Sequence, residues 1–184
     1  MKGKQANTDQ AAPAPSIDPE RYVLETSQRF SRSREELFEF FSDPSNLGRI
    51  TPPWLDFRIL TPLPIDVCEG AQITYRLRLH HVPINWLTRI TQWQPPHRFV
   101  DEQLAGPYRC WVHEHRLVEE GGQTIMYDRV QFLTRGPRAL RHLVHRLFVN
   151  QRVREIFAYR QGCLSDLLGG ELGSAITIRR AAGA

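Results

Sequence analysis

From Arg138 to about Leu168 the apolar residues recur at helical spacing: Leu140, Leu143 and Val144, Leu147, Val153, Ile156 and Phe157, Leu164 and Leu167. Positions three and four apart share one face of an α-helix, so the run predicts a helix of about 30 residues and about 45 Å with one apolar stripe. Such a stripe must be covered. Within a chain of 184 residues only a sheet is long enough to do it, which points to an α+β domain. Gly169-Gly170 ends the helix. The segment 171–184, ELGSAITIRRAAGA, has little to pack and is expected to be a flexible tail.

Residues 54–134 supply the sheet. Strand-like runs follow one another at roughly ten-residue spacing, separated by Gly, Pro and charged turns, as in an antiparallel meander. ITYRLRL alternates: Ile73, Tyr75, Leu77 and Leu79 face one way, Thr74, Arg76 and Arg78 the other. If INWLTRITQW folds back across Val82-Pro83, Trp86 falls opposite Leu79 and Ile90 opposite Tyr75. Ahead of the meander, ERYVLETSQRF (20–30) reads as a first strand, and Ser33 with Glu36 forms a capping box for a helix carrying Leu37, Phe40 and Phe41. Asp43-Pro44 stops that helix, and a second short one covers 44–50 before Pro52-Pro53.

The stretch GPYRCWVHEHRL (106–117) places Trp111, His113 and His115 on one strand face, with Glu114 and Arg116 on the other. A four-residue turn over EEGG (119–122) would set His115 opposite Met126, His113 opposite Asp128 and Trp111 opposite Val130. The histidines then share a face with Met126, Asp128, Val130 and Phe132, while Glu114, Arg116, Arg129 and Gln131 belong in water. The histidine face is therefore the inner one. Asp101 and Gln103 join it if the loop 105–109 takes five residues, and point outward if it takes four.

The order strand, two helices, six strands, long helix resembles the SRPBCC superfamily, the helix-grip fold of START-type lipid-transfer domains, pollen-allergen relatives and polyketide cyclases. The resemblance covers about residues 20–168. In particular PPWLDFRIL, GAQITYRLRL, ITQWQPPHRFVDEQLAGPYRCWVHEHRL and REIFAYRQGCL are similar to a bacterial, uncharacterised, ligand-binding SRPBCC group. It implies a curved seven-stranded antiparallel sheet gripping the C-terminal helix, with a cavity between them, over a domain at 20–170. It does not fix the chemistry, because the superfamily holds both carriers and enzymes.

On that fold the inner face offers Tyr75, Trp86, Ile90, Trp111, Met126, Val130 and Phe132 as apolar wall, and His113, His115, Asp128, Asp101 and Gln103 as polar points. A few polar groups among aromatics make a small-ligand pocket. The first expectation is thus a cofactor-free binding or carrier protein for a lipid, quinone or polyketide-like molecule. The second is a cyclase- or dehydrase-like enzyme in which Asp128 holds His113 in one tautomer for acid–base work. Two histidines two apart with one carboxylate could begin a metal site, but no third strand assures a ligand and no metal is expected. His142 and His145 are read as exposed on an arginine-rich helix, and Trp54 and Trp93 as packing anchors.

Composition bounds what remains. Residues 135–184 hold nine arginines against Glu155, Asp166 and Glu171, although the whole chain carries only +4. That end could contact phosphate or membrane headgroups, as a membrane-surface or regulatory adaptor would. Without interleaved aromatics or a recognised motif, nucleic acid is not expected as a partner. No apolar run approaches the roughly 18 residues of a membrane span. Residues 1–19, rich in Ala, Pro, Gln and Ser, read as a disordered tail without an export signal, and three widely spaced cysteines favour neither a disulfide framework nor a cysteine zinc site. A cytoplasmic location is expected, and the oligomeric state is left open.

Overall fold

The computed structural model describes residues 20–79, 81–171 and 173–181; the expected disordered tail, 1–19, lies outside them. Strand β1 (Tyr22–Phe30) leads into α1 (Arg34–Ser42), whose start is the expected capping box. The Ser33 hydroxyl accepts from Glu36 N–H, and the Glu36 carboxylate accepts from Ser33 N–H. Asp43 then caps a 3-10 helix, Pro44–Ile50. Strands β2 (Arg58–Ile59), β3 (Gln72–Leu79), β4 (Val82–Gln94), β5 (Arg98–Ala105), β6 (Tyr108–Glu120) and β7 (Gln123–Thr134) follow as an antiparallel meander. The sheet order is β2-β3-β4-β5-β6-β7-β1-β8, so β1 closes beside β7.

The eighth strand, β8 (Thr177–Arg180), corrects the expected flexible tail. It pairs antiparallel with β1, Tyr22 opposite Arg180 and Glu25 opposite Thr177, and adds one strand to the seven expected. Its stabilisation comes largely from backbone pairing and an ion pair, which hydrophobic patterning does not score. Backbone bonds satisfy the otherwise open edge of β1, and Arg179 meets Glu25 at 3.0 Å. Ile176 and Ile178 pack beside the core formed by Leu24, Val130, Phe132, Val153 and Phe157.

Two hairpins are tighter than the sequence reading supposed. Leu79 pairs with Val82, so Tyr75, not Leu79, lies opposite Trp86, and Ile90 lies opposite Asp101 of β5. Between β6 and β7 only Gly121 and Gly122 turn the chain, with Glu120 paired to Gln123. Both have positive φ (+61° and +79°), the demand of a two-residue type I′ turn that glycine meets without strain. The register moves by two residues from the expected one: Asp128 faces His115, Val130 faces His113, and Phe132 faces Trp111. A shift of two keeps every side chain on its expected face.

The C-terminal helix is continuous from 138 to 168 but changes phase. Segments α2 (Arg138–Val144) and α3 (Asn150–Leu168) are joined by a π-helical turn, His145–Val149. The wider turn rotates α2 relative to α3. In α3, Val153, Phe157 and Leu164 are buried as expected. In α2 and the π turn the buried residues are Arg141 and His145, while Leu140, Leu143, Leu147 and Phe148 are each about half exposed or more. This corrects both the unbroken stripe and the exposed His145. Arg141 reaches Glu20 at 2.6 Å, and the His145 ring stacks on Tyr22 at 4.2 Å. His142 Nδ1 lies 3.2 Å from the Tyr22 hydroxyl.

Candidate functional site

The inner face of β3–β6, the end of α1, the 3-10 helix and the middle of α3 enclose a cavity of about 170 Å³. Its wall is aromatic because the alternation of three strands points rings at one another. Tyr75 stacks on Trp86 (5.8 Å), Trp86 meets Trp111 edge-on (5.3 Å), and Tyr108 lies 4.7 Å from Trp111. Ile73, Leu77 and Ile90 of the sheet, Phe40 and Phe41 of α1, and Val153, Ile156 and Phe157 of α3 complete it. The wall is mostly apolar, and burial pushes the phenols of Tyr75 and Tyr108 well above their ordinary range.

At one end the wall turns polar. Asp101, directly opposite His113 across β5 and β6, lines the cavity together with His113 and His115. Behind them is Asp128, 4% exposed. Its Oδ1 lies 3.1 Å from His113 Nε2 and 2.8 Å from His115 Nδ1. Burial alone would raise the Asp128 pKa, but His115 and the hydrogen bonds from both rings outweigh it and hold the carboxyl well below the usual range. His113 moves down from its ordinary value, chiefly through burial and then through His115, with Asp128 and Asp101 opposing. His113 is therefore neutral at pH 7, donates Nε2–H to Asp128, and turns its Nδ1 lone pair toward Asp101 Oδ2 at 3.7 Å. Such a group can accept a hydrogen bond from a ligand, take a proton, or bind a cation.

Of the residues named from sequence, Tyr75, Trp86, Ile90, Asp101, Trp111, His113 and His115 line the cavity. Five do not. Gln103 faces the β5–β6 loop, donating to Tyr108 O and accepting from Tyr108 N–H, so it braces that loop. Met126 is packed into the core with Phe30, Leu37 and Leu164; Val130 and Phe132 lie with Val153 and Phe157. Asp128 touches the histidines from the side away from the cavity. These residues share the predicted face, but α1 and α3 cover its β7 portion. Trp93 lines the cavity and packs on Phe38, whereas Trp54 is 55% exposed beside Tyr159, not a buried anchor.

Arg160 was missed. It lines the cavity from α3, with its guanidinium 5.1 Å from the Phe157 ring and its Nε buried without a hydrogen-bond partner. The signal was available, since 153, 156, 157, 160 and 164 form one helical stripe in which Arg160 is the charged member.

No family model matches the chain, and no curated protein matches it. Solved structures do. The protein Ms6760 from Mycobacterium smegmatis superposes with a TM-score of 0.58 at 17% identity, over 80% of this chain and 90% of that one. The ginseng major latex-like protein 151 from Panax ginseng gives 0.59 at 8% identity over 80% and 97%. A nucleoside-diphosphate sugar epimerase from Corynebacterium glutamicum gives 0.55 at 24% identity over 77% of this chain, which spans only 28% of that longer one. Similarity this low carries architecture and not activity. With its antiparallel sheet, short helices after β1 and long C-terminal helix, the chain shares the helix-grip fold of these structures, the architecture that the sequence resemblance implied.

Proposed function

We propose that the chain binds a hydrophobic small molecule of lipid, quinone or polyketide type in the cavity between sheet and α3. The observation that carries this reading is the wall itself: Tyr75, Trp86, Tyr108 and Trp111 surround apolar space that ends in Asp101, His113 and His115. The ligand's apolar body lies against the rings, and a hydroxyl at its end donates to Asp101 or His113. Organic extraction of the purified protein followed by mass spectrometry tests it. An apolar compound is retained by the native chain and lost from a Leu77→Trp variant that fills the cavity yet melts cooperatively. Recovery of no compound, with no uptake of an environment-sensitive fluorophore, would refute it. His113→Ala separates carrier from enzyme: in a cyclase-like enzyme it abolishes turnover while binding survives.

The α2 surface favours a second reading, docking on an anionic membrane. Leu140, Leu143, Leu147 and Phe148 are exposed, and Arg135, Arg146 and Arg154 accompany them with no acid in the chain between 135 and 154, Arg138 being paired with Glu20. Two copies meeting through this face would oppose like charges, whereas anionic lipid supplies both apolar depth and countercharge, about 1 kcal/mol for each arginine near the surface. The chain then sediments at low salt with vesicles containing phosphatidylserine and not with pure phosphatidylcholine. Leu143→Glu with Leu147→Glu removes that binding. A concentration-dependent dimer with no vesicle binding would overturn the reading. Among the described residues no helix is long and apolar enough to cross a membrane.

A further inference from the structure

The polar end of the cavity contains donors that lack an acceptor's complement. Asp128 Oδ1 lies between the two rings, 3.1 Å from His113 Nε2 and 2.8 Å from His115 Nδ1. The nitrogen of each ring that lies away from Asp128 is then the one available to an ion. Asp101 is oriented in the same way: Thr88 Oγ1 donates to its Oδ1 at 3.2 Å, which leaves Oδ2 facing His113 Nδ1 at 3.7 Å. A lone pair and a carboxylate oxygen across an unfilled gap repel each other until a cation lies between them.

We propose that Asp101, His113 and His115 form a three-donor site for one divalent first-row transition ion, of the zinc or iron(II) class, at the polar end of the cavity. One nitrogen of each histidine and one oxygen of Asp101 lie within 4.8 Å of one another. Two bonds of about 2.1 Å span at most about 4.2 Å, so no pair need close by more than about 0.6 Å on loading. Two imidazoles and one carboxylate suit these ions and not calcium or magnesium, which take oxygen donors. The outer shell is in place. Asp128 holds the far nitrogen of His113, as carboxylates do behind metal-bound histidines, and Thr88 holds Asp101. With three protein donors the ion keeps open positions toward the apolar cavity, where a ligand oxygen could coordinate.

The inference rests on the cavity reading for access alone, and its test is independent of any organic ligand. Chelator-stripped full-length chain is titrated with zinc by calorimetry and with cobalt by visible absorption. The expected result is one ion per chain, with cobalt d–d bands in the visible. Asp128→Asn weakens binding by roughly 10- to 100-fold, as outer-shell losses do, and Asp101→Ala or His113→Ala by more. Asp101 is only partly buried, so Asp101→Asn, checked by circular dichroism, provides a ligand variant that keeps its fold. Absence of saturable binding by the folded wild-type chain would overturn the site, as would binding unchanged in Asp101→Asn. Either failure leaves a compound retained by the native protein unexplained by metal, and the carrier reading intact.

Discussion

His145 makes acid stability measurable at one residue. Its side chain is fully buried against Tyr22, and its Nε2 faces Thr134 N–H and Thr134 Oγ1, both at 3.1 Å. The backbone N–H donates, so Nε2 must keep its lone pair. Burial lowers the pKa to about 4, with the charges of His142 and Arg141 adding to the effect and a contact from Asn150 opposing it. A histidine in the unfolded chain titrates near 6.5. Because the folded value is the lower one, the unfolded state takes up the proton first, and stability falls as pH drops from about 6.5 to about 4. The gap of 2.5 pH units corresponds to roughly 3 kcal/mol over the whole window, of which about 2 kcal/mol is lost between pH 7.5 and pH 5. Urea unfolding at both pH values reads this directly. His113, also depressed, contributes with the same sign, so the difference between wild type and His145→Gln isolates the His145 share. Equal pH dependence in the two proteins would refute the reasoning.

Asp128→Ala strands the buried Nε2–H of His113, and at about 1–3 kcal/mol for a stranded buried donor it should destabilise by at least that much in urea melts. Leu164→Ala opens space between α3 and the core of Phe30, Leu37 and Met126, and should cost about 2–5 kcal/mol without altering zinc affinity. Truncation before residue 171 removes the strand that covers β1 and the carbonyl of Glu171 that accepts from the Gln28 amide; light scattering should then show concentration-dependent association through the bared edge.

The order of elements was legible because each rests on local signals: the Ser33–Glu36 cap, the Asp43-Pro44 stop, the alternation of Ile73 to Leu79, and the helical period of α3. The inward face of β6 was legible too, since parity survives a register error of two. Which residues stand opposite one another was not. That depended on whether four residues or two make the turn at 119–122, and the Gly121-Gly122 pair, which favours a two-residue type I′ turn, was outweighed in the reading by the charged Glu119-Glu120 beside it. Nor could parity separate cavity from core. Trp111 and Phe132 share a face, yet only Trp111 lines the cavity, because α3 covers one and not the other. Asp128 illustrates the same limit: its face was right, but its place behind the histidines follows from the true register. His145 was misread because a single helical phase was assumed for 138–168.

The π-helical turn at His145–Val149 gives this helix an asymmetric tolerance to length changes. A π turn holds about one residue more than the α-helix around it, and an α-helix advances about 100° per residue. Deleting one residue there would let the turn relax to regular α-helix while Arg141 and the leucines of α2 keep their present directions. Inserting one would swing them by about a quarter turn or more, moving the leucines toward the sheet and taking the Arg141 guanidinium away from Glu20. Homologous chains should therefore vary here by loss of a residue far more readily than by gain.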